Sequence, residues 1–396
     1  MGMLVSLSLL LVLGLLAGKV VELWRLPGLL GMLLVGILLG PYVFDVLDPD
    51  LLQISQDLRS LALIVILLRA GLGLKRENLA QVGSAALRLS CIPCILEGTT
   101  VMVLARWLLS LTWPEAGMLG FIIAAVSPAV VVPGMLNIKE LGYGEDKQIS
   151  TLIMAGASVD DVIAITLFTF FLGLGIQGEA NVVLELGKIP LSISAGIAGG
   201  LLVAILLLKM YSFKPLTTRN TEKLLLLLSL AILYFEVGEH LGIASLLGVM
   251  TIGLVMVEKR QDSANQFSQK LARVWIFAQV ILFTLVGAEV NIGVAVQAGL
   301  IGALIIGIGL IGRSLGVWIA TLGTNLNGRE RLFCMIAYIP KATVQAAIGA
   351  LPLAAGIEAG SIILAIAVLS ILITAPLGAI GIKVGAPILL QKVEKS

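Results

Sequence analysis

A run of about 29 residues, from position 148 to 176, is uncharged except for two adjacent aspartates near its middle, Asp160 and Asp161. At about 1.5 Å per residue, a helix of this length spans the roughly 30 Å hydrocarbon core of a bilayer. A carboxylate at mid-depth costs about 2.5 to 3.5 kcal/mol on insertion scales, so a chain that keeps two there needs a reason. Two interpretations are open: a structural pair neutralised by a basic partner, or a site for a cation and a proton.

The rest of the chain has the same apolar character. Hydrophobic residues make up 59% of the 396 residues and charged residues only 13%, which excludes a soluble globular fold. The sequence predicts an all-α polytopic membrane protein with thirteen transmembrane helices, divided at charged residues and turns. The predicted spans are residues 2–24, 27–44, 56–74, 79–110, 116–139, 147–176, 187–211, 220–240, 242–258, 265–289, 295–322, 329–355 and 358–384.

The basic residues of the predicted loops are divided unequally between the two sides. Nineteen fall on the side of the C-terminus and three on the other side, while the remaining four of the 26 lie within spans. Because cytoplasmic loops are enriched in lysine and arginine, we expect the N-terminus outside and the C-terminus in the cytoplasm of a bacterial-type plasma (inner) membrane. The net charge of +2 reflects this loop bias and predicts no binding of nucleic acid.

Weak internal similarities indicate two related halves. Residues 30–36 resemble residues 247–253, and residues 68–72 resemble residues 285–289, at offsets near 217. The sequence therefore predicts two six-helix repeats joined by a linker helix. Six helices and one linker make seven crossings, so the second repeat enters the membrane from the side opposite to the first. Such inverted repeats are typical of secondary transporters, whose binding sites lie where the two repeats meet at mid-membrane.

Prolines predict two broken helices that cross near the middle of the membrane. Pro128 and Pro133 lie in the span 116–139, and Pro340 lies next to Lys341 in the span 329–355. Proline removes a backbone donor and clashes with the preceding turn, although an ordinary kink is the simpler alternative. At true breaks, freed carbonyls can bind a small cation. Lys341 is then expected to balance the carbonyl ends and to pair with one aspartate, leaving the other to hold a proton or a metal cation.

Three segments carry a resemblance to a known family: residues 127–133, 158–165 and 339–349. Together they resemble the cation:proton antiporter superfamily, and within it the sodium/hydrogen exchanger branch that includes animal mitochondrial-type antiporters. The resemblance implies a core domain that moves as an elevator against a dimerising scaffold. The implied parts are scaffold at 1–74 and 220–291, core at 75–176 and 292–385, a linker helix at 177–219 and a cytoplasmic tail at 386–396.

The resemblance also implies roles for individual residues. Asp161 would be the essential carboxylate that binds sodium, lithium or a proton, and Asp160, beside it in the metal site, would pair with Lys341. Ser127 stands where relatives carry an acid, and we keep it as a possible ligand.

Glu97 and Arg313 are further charges within predicted spans, at equivalent places in the two halves. An unpartnered buried charge would cost several kcal/mol, so we expect the two to form an ion pair. We interpret this pair as structural, with tuning of coupling as the alternative.

The sequence thus predicts a secondary antiporter in which a proton and a monovalent cation compete for Asp161. It is not expected to be an enzyme, to need a cofactor or to bind nucleic acid; its partners would be the ions, the bilayer and a second copy in a homodimer. A sodium-coupled symporter of the bile-acid type and a proton-gated cation channel are the alternatives. The choice between sodium, lithium and potassium stays open, as does electrogenic or electroneutral exchange.

Overall fold

The computed structural model describes residues 2–24, 26–73, 76–177, 182–212 and 219–392, and these form helices joined by short connections. The helices are α1 (Met3–Leu23), α2 (Leu29–Leu39), α3 (Pro49–Gln53), α4 (Ser55–Gly73), α5 (Arg76–Leu108), α6 (Trp113–Ala124), α7 (Pro128–Glu140), α8 (Ile149–Gln177), α9 (Val182–Ser212), α10 (Asn220–Leu241), α11 (Ser245–Lys259), α12 (Gln261–Ala288), α13 (Ile292–Ala320), α14 (Gly328–Ala337), α15 (Thr343–Ile348), α16 (Leu351–Ala354) and α17 (Gly360–Leu389).

The helices support the predicted class, an all-helical membrane protein with several crossings. Within the described ranges, eight helices are long and apolar enough to cross a membrane, and two shorter apolar segments lie at Leu29–Leu39 and Thr343–Ala354. The count of thirteen crossings and the inverted repeat stay predictions.

Two predicted spans are not continuous helices. Residues 116–139 are divided between α6 and α7, and residues 329–355 between α14, α15 and α16. Pro128 lies at the first position of α7, where its missing N–H costs nothing because that donor has no partner within a helix. Pro133 lies inside α7, which continues through it. The prediction that Pro133 marks a break is therefore wrong: a single missing donor does not end a helix that its neighbours hold in place.

Capping residues fix where two of these helices begin. Thr112 and Glu115 form a capping box at the start of α6, and Asn327 and Glu330 form another at the start of α14. In α5 the backbone kinks at Gly83, whose φ of 49° favours glycine. The membrane-spanning part of α5 accordingly begins at this glycine.

The chain divides into two compact units. The first comprises Met1–Gln53, Gln81–Glu179 and Phe283–Ser396, and the second comprises Ile54–Ala80 and Ala180–Leu282. Within the first, α6 packs on α8, and α13 packs on α17. Within the second, α11 packs on both α4 and α9.

Several boundaries of the predicted parts fall outside the described residues. The two ends of the predicted linker, 178–181 and 213–218, are among these, as are the last four residues of the predicted tail. Since α17 extends to Leu389, the first residues of that tail are helical. Some basic residues used to predict sidedness lie outside the described part: Arg25, Lys75, Lys214 and Lys395. The side chains of Arg76 and Lys188 are likewise not described.

Candidate functional site

The two interrupted helices meet where their backbones unwind. Residues 125–127 separate α6 from α7, and residues 338–342 separate α14 from α15. The backbone N–H of Ser127 donates to the carbonyl oxygen of Pro340 at 2.8 Å. The first unwound segment therefore lies against the second. All their residues are buried except Ile339, which is half-buried, and such burial in protein is how irregular backbone is tolerated at membrane depth.

Side chains satisfy the carbonyl groups at the end of α6. Nε2 of Gln345 donates to the carbonyl oxygens of Ile122 and Ala125, each at 2.8 Å. Nη1 of Arg313 donates to the carbonyl oxygen of Ala124. The last carbonyls of a helix have no partner within it and carry partial negative charge, which a guanidinium stabilises. These three carbonyls are thus already hydrogen-bonded by the protein.

Four buried charged side chains form one network. Arg313 donates from Nη1 to Oε2 of Glu97 at 2.7 Å and from Nη2 to both carboxylate oxygens of Asp160 at 2.9 Å. Nζ of Lys341 donates to the same Oε2 of Glu97 at 2.6 Å. None of the four is more than 1% exposed. Glu97 and Arg313 are in contact as expected, but as part of a larger network than a pair.

Lys341 does not pair with Asp160, contrary to expectation. The carboxylate of Asp160 is occupied by Arg313 on both oxygens, and Oδ2 also accepts the N–H of Val126 at 2.8 Å, a donor freed by the break after α6. Both oxygens of Asp160 accept from the same nitrogen, Nη2, while Nη1 serves Glu97, so one guanidinium with several donors reaches both acids. The lysine instead contacts Glu97, and Arg313 takes the expected place of Lys341 at the carbonyl end of α6.

Asp161 is a buried acid next to this network that forms no ion pair with its described members. It follows Asp160 on α8 and is 4% exposed. Its Oδ1 is buried, and no described residue donates a hydrogen bond to it. A buried polar atom without a partner costs about 1 to 3 kcal/mol, and more when it is charged. The carboxylate of Asp161 is therefore available to a proton or a cation.

Ser127 lies close to the crossing but is not tied to the charges. Its Oγ is buried and lies 3.5 Å from Oγ1 of Thr343, the first residue of α15. Although Ser127 occupies the N-cap position of α7, its side chain makes no capping hydrogen bond. The hydroxyl is thus placed near the backbone crossing, and its role as a ligand stays a prediction.

The chemistry of these atoms favours a hard cation. Across the described residues, His, Cys, Asp and Glu side chains form no group of three that could hold a metal ion. Carboxylate and hydroxyl oxygens suit hard ions, whereas transition metals favour imidazole and thiolate.

Comparison with known proteins decides the family. The family model described as "Sodium/hydrogen exchanger, transmembrane" matches residues 7–385. The chain belongs to the sodium/hydrogen exchanger family. Human sodium/hydrogen exchanger 9B2 is 36% identical over 390 residues, covering 93% of this chain and 71% of the relative. Human sodium/hydrogen exchanger 9B1 is 32% identical over 398 residues, covering 95% and 76%.

A solved structure has the same fold as this family member. The sodium proton antiporter MjNhaP1 from Methanocaldococcus jannaschii superposes with a TM-score of 0.84 and covers 97% of each chain. The identity is 22%, so this likeness bears on the fold alone.

In this sodium/hydrogen exchanger, sequence reasoning missed Gln345 and the bond between Arg313 and Asp160. A signal for the first was present, because glutamine is rarely buried within a membrane without polar partners. The sequence carries no signal for the bond between Arg313 and Asp160, because it depends on how the helices pack.

Proposed function

We propose that this exchanger carries out sodium/proton antiport, with the carboxylate of Asp161 binding either a monovalent cation or a proton. One observation carries the proposal: of five buried charged side chains around the broken helices, Asp161 alone has no ionic partner among the described residues. Membership of the sodium/hydrogen exchanger family supports the same conclusion.

The charges of the cluster bear on the stoichiometry. Three acids, Glu97, Asp160 and Asp161, lie with two bases, Arg313 and Lys341. With all five ionised, the cluster carries one excess negative charge. A single proton or a single monovalent cation neutralises it, so the two ligands compete for one place and exchange one for one. Such exchange moves no net charge across the membrane. Asp160 then belongs to the site as the neighbour that Arg313 holds in place.

We propose that the cluster is carried between the two sides of the membrane by an elevator movement of the core. Each residue of the cluster comes from the proposed core segments, 75–176 and 292–385. Most of both segments lies in one compact unit, which supports treating them as one moving body. Residues 1–53, which we assigned to the scaffold, fall in that same unit by their contacts.

Three further features belong to the proposal. The bias of basic loops supports a C-terminus in the cytoplasm and an N-terminus outside, in a bacterial-type inner membrane. A homodimer is proposed by analogy with the family that the sequence resembles. The symporter and channel alternatives are not favoured, because the family is one of exchangers.

Transport by the purified protein in liposomes tests the proposal. With a pH dye inside, an imposed sodium or lithium gradient should drive proton flux in the wild type, and Asp161→Asn should abolish it. Asp262→Asn, which removes an exposed carboxylate on α12, is the matched control and should transport normally. Sodium-driven proton flux that persists in a folded Asp161→Asn variant would exclude this carboxylate as the site.

A second measurement tests the one-for-one ratio. A membrane voltage, imposed with a potassium gradient and valinomycin, should drive no proton flux when sodium is equal on both sides. Sodium-dependent flux that follows the voltage would show that net charge moves, and the ratio would then be wrong even if Asp161 is the site.

A further inference from the structure

An apolar groove lies between α13 and α14 on the outside of the helix bundle. It has a volume of about 380 Å³. Ile311 and Leu315 are 59% and 56% exposed, so one wall of the groove is a flat aliphatic surface. The residues that line it are Leu310, Ile311, Ser314, Leu315 and Trp318 of α13 and Met335 of α14.

A fixed arginine lies beside this groove, against Trp318, which is one of its lining residues. The guanidinium carbon of Arg331 lies 5.5 Å from the centre of the Trp318 ring, and its Nε donates to the carbonyl oxygen of Leu326 at 3.2 Å. Its two Nη atoms make no hydrogen bond to a described residue. The adjacent Glu330 does not neutralise it, because that carboxylate is buried and accepts two hydrogen bonds from Lys147. Arg331 therefore presents a positive charge with free donors.

We propose that this groove binds one anionic phospholipid, with an acyl chain along α13 and the phosphate on the Nη atoms of Arg331. Tryptophan and arginine are the side chains that anchor proteins at the edge of the hydrocarbon region, where phospholipid headgroups lie. A guanidinium matches a phosphate with two parallel hydrogen bonds, and stacking on Trp318 holds it ready to do so. Charge complementarity thus selects an anionic headgroup over a zwitterionic one.

The loop bias supports the same leaflet. Arg331 is among the basic residues that fall on the predicted cytoplasmic side, where anionic lipids are concentrated. Arg329 lies two positions earlier and is exposed, but no aromatic ring among the described residues contacts its guanidinium, unlike that of Arg331. It provides a control of the same charge on the same helix.

Lipid binding to the delipidated protein, measured by native mass spectrometry, tests the proposal. Phosphatidylglycerol and phosphatidylcholine are titrated separately against the wild type and the variants. Arg331→Gln should weaken the first bound phosphatidylglycerol by about fivefold, the effect of one interfacial charge. Leu315→Trp, which fills the groove, should weaken both lipids. Arg329→Gln should leave both affinities unchanged.

Three outcomes would overturn it. Equal loss in Arg331→Gln and Arg329→Gln would mean that basic charge attracts the lipid without a specific place. Equal affinity of the wild type for the two lipids would remove the headgroup selectivity. Unchanged binding in Leu315→Trp would mean that no acyl chain occupies the groove. Arg331→Lys, which keeps the charge but not the paired donors, should bind phosphatidylglycerol with intermediate affinity. It replaces Arg331→Gln in the test if the glutamine variant does not fold.

Discussion

Replacing Arg313 by glutamine should destabilise the protein far more than a typical substitution does. Arg313 contacts two buried acids, Glu97 and Asp160. After its removal, Glu97 keeps the ammonium group of Lys341 at 2.6 Å, whereas Asp160 keeps only the N–H of Val126 at 2.8 Å. The change therefore leaves one uncompensated buried carboxylate and not two.

The loss of stability in Arg313→Gln follows from this one unpaired carboxylate. Removing one partner of a buried ion pair costs about 3 to 5 kcal/mol. For a chain of 396 residues that unfolds cooperatively, with an unfolding entropy of about 2.1 cal/mol/K per residue, this lowers Tm by about 4 to 6 °C. Asp160→Asn should cost less, about 1 to 3 kcal/mol, because Arg313 stays bound to Glu97 and the two remaining acids, Glu97 and Asp161, still match the two bases.

Thermal unfolding in detergent, followed by intrinsic fluorescence, measures both variants and their combination. In Arg313→Gln with Asp160→Asn the unpaired carboxylate is gone, so the double variant should be more stable than Arg313→Gln alone. The coupling between the two sites should then exceed the cost of Asp160→Asn alone, and so be at least about 1 kcal/mol, within the range for residues in one network. Additive effects, or a double variant less stable than either single one, would refute the pairing of Arg313 with Asp160.

Three further substitutions test the account of the backbone and its packing. Pro133→Ala should leave transport intact and not lower Tm, because this proline lies inside a continuous helix; loss of sodium-driven proton flux would contradict that. Gln345→Leu should cost about 1 to 3 kcal/mol for each α6 carbonyl left without a donor, measured as a fall in Tm, and an unchanged Tm would mean that these bonds do not form. Gly316→Ala places a methyl group 2.5 Å from Cα of Pro93 and should destabilise by about 1 to 3 kcal/mol, whereas Gly307→Ala on the same helix meets nothing within 4 Å and should not; equal effects of the two would refute the close packing of α13 on α5.

The sequence predicts the class of fold and the places where helices break for a simple physical reason. Long apolar runs must hydrogen-bond their own backbone in a membrane, so they form helices. Pro128 and Pro340 indicate the two interruptions, since proline cannot donate to the preceding turn. Pro133 is an exception, because α7 continues through it. A proline removes one backbone donor, and whether the helix ends there depends on the contacts around it.

The partners within the charged network could not be predicted in the same way. The sequence identifies Glu97, Asp160, Arg313 and Lys341 as buried charges, but any acid in a cluster of this size could face either base. The choice depends on which base the packing of the helices brings within reach of each acid. Asp161 was assigned as the carrier only by resemblance, because two adjacent acids are indistinguishable from composition and spacing.

Their positions on α8 explain why two adjacent aspartates are not equivalent. Consecutive residues of a helix point about 100° apart, so they cannot share one face. Asp160 faces the break after α6, where Arg313 and a freed backbone donor hold it. The other four charges balance without Asp161, two acids against two bases. In the proposed exchange, gaining or losing a proton or a sodium ion at Asp161 therefore requires none of these pairs to break, and the network can stay intact while the ion changes.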